Sequence, residues 1–304
     1  MIQNMINKSI FLILIILVFS SCEEEPVGIN YKPATTTYDT TYILEVTPSA
    51  QVKEILIEDI TGVSCPNCPE AAQIAAGIVS ANPGRVNVMA LYNTISSTLG
   101  YPIDHPPVKS QFDFRNILAT EICQFVAVPG NLPNGYINRK KFTGKLDAVV
   151  PKEEWVSFSN AEIALTTPVN IEVHATYDNT TKDLVTDVTV TYTSNVSGDN
   201  YISMCILEDS VVDAQESKDP GSGAVTYLQD YTHRHILRDM YTASIGDLLN
   251  TSNSITLTRG RVIKRRYSKK VEKLVPYSHW KILAFVTEDP TSKYVLHSKE
   301  AEVE

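Results

Sequence analysis

Two cysteines with two residues between them, Cys65-Pro66-Asn67-Cys68, stand between a run that reads as a strand and a run that reads as a helix. Ahead of them, Glu54-Ile55-Leu56-Ile57-Glu58-Asp59-Ile60 is strand-like and passes through Thr61-Gly62-Val63-Ser64 into the motif. Behind them, Ala71, Ala72, Ile74, Ala75, Ile78 and Val79 recur at helical spacing, and Asn82-Pro83-Gly84 ends the helix. Arg85 to Tyr92 then supplies a second buried strand. Strand, helix and strand in this order predict a right-handed crossover, hence a parallel pair with the helix on one face. The first cysteine would sit at a helix start, where unpaired N–H groups and the helix dipole favour a thiolate. A lowered thiol pKa suits Cys65 to attack and leaves Cys68 to resolve a mixed disulfide. Pro69 costs little there, because the first turn donates no intrahelical hydrogen bond.

The alternation continues to about residue 160. A proline-rich loop (Tyr101-Pro102-Ile103-Asp104-His105-Pro106-Pro107) precedes a helical stretch around Phe112 to Phe125. Pro129 and Pro133 lead into a short strand at Tyr136-Ile137-Asn138-Arg139, and a last helix spans about Lys152 to Leu165. From residue 168 apolar residues fall on every other position: Val169 to Tyr177, Asp187 to Thr193, Tyr201 to Leu207, Lys281 to Thr287 and Tyr294 to Val303. Asp-Asn, Ser-Gly-Asp and Pro-Gly-Ser turns between such runs predict an antiparallel β-sandwich. The expected layout is an α/β domain over residues 51–166 and an all-β antiparallel sandwich domain over residues 167–304.

The amino-terminal residues read as an export signal. Lys8 gives a positive start, and Ile10 to Phe19 is an unbroken apolar run, too short to span a bilayer. Ser20-Ser21-Cys22 follows, and this arrangement resembles a lipobox, in which the cysteine is acylated before cleavage ahead of it. Residues 1–21 are thus expected to be a lipoprotein signal peptide, Cys22 the lipidation site carrying palmitate-type chains, and residues 22–50 a tether and linker. Glu23, Glu24 and Glu25 open that tether; an acidic run there favours surface exposure over a periplasmic-facing address. The partner implied is outer-membrane lipid. Removing residues 1–21 takes away Lys8 and no acid, which leaves 25 basic against 35 acidic residues, a net charge of −10. That balance lacks the basic footprint of nucleic-acid binders.

Other residues admit two readings each. Cys123 and Cys205 either pair with each other or are small buried hydrophobes. The Cys65–Cys68 pair lacks the second ligand pair that zinc needs, so no metal and no cofactor is expected. His233 and His235 alternate, as metal ligands or as residues packed between sheets. Arg259, Arg261, Lys264, Arg265, Arg266, Lys269, Lys270 and Lys273 form the one basic cluster, either a solvated face or a contact for anionic headgroups or polysaccharide. His105 sits in the proline-rich loop.

The strand, acid, turn, CxxC and helix, followed by a proline before a strand, resemble the thioredoxin fold. That resemblance implies a catalytic set: Cys65 attacking, Cys68 resolving, Asp59 relaying a proton and Pro133 as the cis-proline, with Pro129 as rival. A narrower resemblance rests on Ile57-Glu58-Asp59-Ile60-Thr61-Gly62, Cys-Pro-Asn-Cys-Pro-Glu, Asp113-Phe114-Arg115, Tyr136-Ile137-Asn138-Arg139, Leu207-Glu208-Asp209 and Tyr231-Thr232-His233-Arg234-His235-Ile236-Leu237-Arg238. These are similar to the Omp28-related outer-membrane lipoproteins, which implies a thioredoxin-like domain, a β-sandwich and an outer-membrane address. Two functions follow as expectations. One is thiol-disulfide exchange on a protein thiol or disulfide substrate, or redox-dependent assembly. The other is a surface binding or adhesion lipoprotein whose CxxC is a structural disulfide. Exposure of Cys65 discriminates between them, because an attacking sulfur must be reachable.

Overall fold

The computed structural model describes residues 35–219, 221–251, 255–271 and 279–304. Residues 31–304 form one compact unit. In chain order the strands are β1 (Thr35–Ile43), β2 (Ile55–Thr61), β3 (Val86–Tyr92), β4 (Asp104–His105), β5 (Val108–Lys109), β6 (Asn134–Ile137), β7 (Val150–Pro151), β8 (Val169–Asp178) and β9 (Asp183–Tyr192). They continue as β10 (Tyr201–Glu208), β11 (Val211–Lys218), β12 (Val225–His233), β13 (Ile236–Met240), β14 (Asp247–Leu248), β15 (Arg261–Lys270), β16 (Trp280–Thr287) and β17 (Val295–Glu302). Among the described residues three short α-helices accompany them: α1 (Cys68–Ala81), α2 (Ile117–Val126) and α3 (Trp155–Ile163).

The strand-helix-strand reading is met locally. Strands β2 and β3 pair in parallel from Ile55↔Val86 to Thr61↔Tyr92, with α1 between them. Both strands are buried at every position, as expected for parallel strands covered on two faces. Helix α1 turns Ala71, Ala75 and Ile78 inward.

The fold class expected from the sequence is nonetheless corrected. The molecule is mainly β, in several sheets, and no separate α/β thioredoxin-like domain is present among the described residues. On the β3 side the sheet is completed by strands from the far half of the chain, while β6 and β7 continue it beyond β2. A nine-stranded sheet runs β17-β16-β10-β13-β3-β2-β6-β7, with β14 also on β10. The junction is the parallel step between β13 and β3, where the Ala90 N–H donates to the His235 carbonyl (2.8 Å). Local periodicity reports which residues form a strand, not which distant strand takes its free edge.

A four-stranded sheet, β1-β15-β9-β8, packs on one end of this large sheet in a sandwich-like arrangement. Val188, Val190, Ile263 and Tyr267 from the small sheet meet Ile202, Met204, Ile282 and Ala284 from the large one. β1 falls within the residues expected as tether and linker. It pairs antiparallel with β15 from Thr35↔Ser268 to Ile43↔Arg261.

The middle helix is shorter than its apolar pattern predicts, starting at Ile117 rather than near Phe112. Two interactions stop it. The Asn116 side chain accepts from the Leu118 N–H as an N-cap (2.8 Å). The Asp213 carboxylate accepts from the Gln111 and Phe112 N–H groups (2.8 and 2.9 Å), which ties that segment to β11.

Candidate functional site

Cys65 and Cys68 form a disulfide in the turn that enters α1. Cys65 is 1 % exposed and Cys68 2 %. Both lie in an apolar cluster with Leu56, Ile60, Leu91, Ile122 and Leu132. The hairpin β11–β12, whose strands lie on either side of the Pro-Gly-Ser turn read in the sequence, lies against the cysteine turn. Gln215 is buried and its Nε2 donates to the Gly62 and Cys65 carbonyls (both 3.2 Å). Next to it, the Glu216 N–H donates to the Val63 carbonyl (2.9 Å). Val211 and Ala214 pack on Val63, Tyr92 and Phe114. From the other side the Ser64 N–H donates to the Leu99 carbonyl (3.0 Å). A Cβ on Gly62 would stand 2.3 Å from that same oxygen, so only glycine allows the close approach.

Asp59 is on β2, 4 % exposed, and its Oδ1 has no hydrogen-bond partner. Burial pushes its carboxyl up to about 7. A cavity of about 210 Å³ opens beside it, bounded by the alanine face of α1, by Cys68 and by the turn that carries His233. Of the two candidate prolines, the cis peptide falls at Leu132–Pro133. Pro133 leads into β6, and its neighbour Leu132 packs in the cluster that holds both cysteines. Cys22, the expected lipidation site, lies outside the described residues, as do Glu23 to Glu25.

His233 and His235 do not share a face. The first ends β12 and the second stands in the turn to β13 with a positive φ of 54°. His233 Nδ1 bonds the Tyr92 hydroxyl (2.8 Å) and its Nε2 lies 3.3 Å from the Ala214 carbonyl, which can only accept, so Nε2 carries a proton. Burial lowers its pKa to about 4. The His235 backbone N–H donates to Asp209 (2.5 Å). Among the described residues no group of three or more His, Cys, Asp or Glu is placed to hold a metal. Cys123 and Cys205 are free and buried, and burial pushes the Cys123 thiol up to about 12. His105 stacks on Tyr227 of β12 with ring centroids 4.2 Å apart.

Most of the basic run is strand β15 rather than a free cationic face. Arg265 is buried and paired with Asp39 (3.1 Å), and Lys269 with Asp239 (2.5 Å). Arg266 and Lys270 are exposed but bridged to Asp187 and Asp183 (2.7 and 2.9 Å). Lys273 lies outside the described residues.

The segment Tyr136-Ile137-Asn138-Arg139 proves structural. Arg139 makes a two-pronged ion pair with Glu58 on β2 (2.7 and 2.9 Å), with both side chains 0 % exposed. Asn138 accepts from the Leu56 N–H (2.8 Å) and donates to Glu162 (2.9 Å), whose carboxylate also takes Lys53 (3.2 Å). A local motif search reads this stretch as a strand end. Only the folded chain shows it pinning β2.

Fold and site together define a mainly β protein whose strand-helix turn is closed by a buried disulfide beside a small cavity. The chain belongs to the Omp28 outer membrane protein family, whose sequence model (Outer membrane protein Omp28) matches residues 127–304. Among solved structures it is similar to HBP35 of Porphyromonas gingivalis, at 12% identity and a TM-score of 0.59, over 84% of this chain and 77% of that one. At that identity the likeness concerns the fold alone. A protein from Agrobacterium tumefaciens matches more distantly, at 9% identity and a TM-score of 0.45, over 83% of this chain and 95% of that one. No curated protein matches the chain.

Proposed function

We propose that this outer membrane protein is a lipid-anchored binding protein in which Cys65–Cys68 is a permanent staple and not an exchange site. The observation that carries this reading is the burial of both cysteines, at 1 % and 2 % exposure, in an apolar cluster, with β11 bonded to the backbone of their turn. Exchange requires a thiolate to reach one sulfur of the pair, and rates depend on that access. Linking residues three apart removes little freedom from the unfolded chain, so the bond's effect is local. It holds the entry to α1 in the shape that β11 covers. The anchor would be Cys22, on the strength of the apolar run and the two serines before it. Outer-membrane lipid is then the partner, and Glu23 to Glu25 favour the outer surface.

Equilibration of the folded protein in thiol buffers tests the staple. A reduction potential below about −300 mV is expected. A value in the range of about −270 to −120 mV, where exchange enzymes fall, would replace the staple with thiol-disulfide exchange on a protein substrate. For the anchor, Cys22→Ser should abolish incorporation of labelled palmitate and release the protein from membranes; retention of both label and membrane would refute acylation there.

A further inference from the structure

The cavity beside Asp59 has no role in the staple. Its floor is Asp59, whose unpartnered Oδ1 is shut away from solvent. Its walls are largely apolar: Ala72, Ala75 and Ala76 from α1, and Val88 and Ala90 from β3. At about 210 Å³ it exceeds the ~150 Å³ apolar cavity that accommodates benzene, and therefore has room for a molecule of a few carbons. A buried carboxyl short of one hydrogen-bond partner, on the lining of a space of that size, calls for a ligand that donates a hydrogen bond.

The charge around the site decides which donor. The titratable and charged groups lining the cavity besides Asp59 are Tyr92, Tyr231, His233, Arg234 and His235. Arg234 is exposed at the rim, and burial keeps the His233 ring neutral. Burial alone accounts for the behaviour of Asp59, with no neighbouring cation neutralising it. Tyr92 and Tyr231 also line the cavity, and tyrosine rings attract cations. We infer that the cavity binds a small primary amine, its ammonium on Asp59 and its short alkyl chain along the alanine face of α1. This rests on the binding reading above and deepens it by naming a ligand class.

The test uses the mature full-length chain at constant ionic strength, with n-butylammonium as probe and n-butanol as its uncharged match, followed by calorimetry and by amide NMR shifts at residues 72–76. The amine is expected to bind saturably at millimolar concentrations, at least tenfold tighter than the alcohol. Between pH 5 and 7 binding should release protons, because the ammonium displaces the proton that Asp59 holds. Asp59→Asn should remove the tenfold preference, and Ala72→Leu should weaken both probes by filling the space. Equal binding of amine and alcohol, no saturable binding of either, or a preference retained in Asp59→Asn would overturn the assignment. A potential typical of exchange enzymes alongside an intact amine preference would instead defeat the staple and leave the amine site standing.

Discussion

Asp59 holds its proton up to about pH 7 when folded, against an ordinary aspartate value near 4 in the unfolded chain. Between those values the folded state binds more protons. Its contribution to stability is therefore full below pH 4, declines as pH rises, and is gone above pH 7. His233 works the other way: it is neutral when folded down to about pH 4, so stability is lost as pH falls from about 6.5 toward 4. Asp59→Asn should remove only the first dependence. Relative to the wild type, its unfolding free energy from urea titration should gain on the order of 1–4 kcal/mol between pH 4.5 and pH 8; a constant difference across that range would show that Asp59 titrates normally. Glu58 makes a different demand. Its replacement by Gln leaves the Arg139 guanidinium buried without a counter-charge, and should cost ~3–5 kcal/mol in denaturant unfolding. Both residues are visible in the sequence as acids in an apolar strand. Their partners, 81 residues away for Glu58 and none for the Asp59 Oδ1, are not.

At the level of elements, the hairpin β11–β12 explains why a motif that reads as reactive is covered. Its strand β11 has buried Asp213 and Gln215, and these are spent on backbone groups of other segments: Gln111, Phe112, Gly62 and Cys65. Gln215→Ala should cost ~1–3 kcal/mol by leaving carbonyls without donors, and should speed reduction of the disulfide by dithiothreitol. An unchanged reduction rate would show that β11 does not control access. The cysteine motif, the helix that follows it and the strands on either side were all legible from spacing, because apolar periodicity is a local property. Of the hairpin only the Pro-Gly-Ser turn was, since Val211–Lys218 and Val225–His233 mix buried and exposed positions without strict alternation.

Over the whole molecule, the two halves of the chain are joined by more than a linker. Beyond the β13–β3 step, His297 accepts from the Glu54 N–H (3.0 Å). Lys299 bridges Glu54 (2.6 Å), and the Val295 N–H donates to the Asn138 carbonyl (3.0 Å). Residues 35–304 should consequently unfold in one cooperative calorimetric transition, with calorimetric and van't Hoff enthalpies equal. Two resolved transitions would restore independent domains at the boundary near residue 166. What the sequence determined alone is what neighbouring residues decide: the disulfide-forming pair, the crossover it caps, the alternating strands and the acidic balance. What only the tertiary structure decided is the partner of each strand edge and the packing that buries the sulfurs. Those depend on contacts between residues up to some 240 positions apart, and pairing across such distances leaves no period in the chain to read.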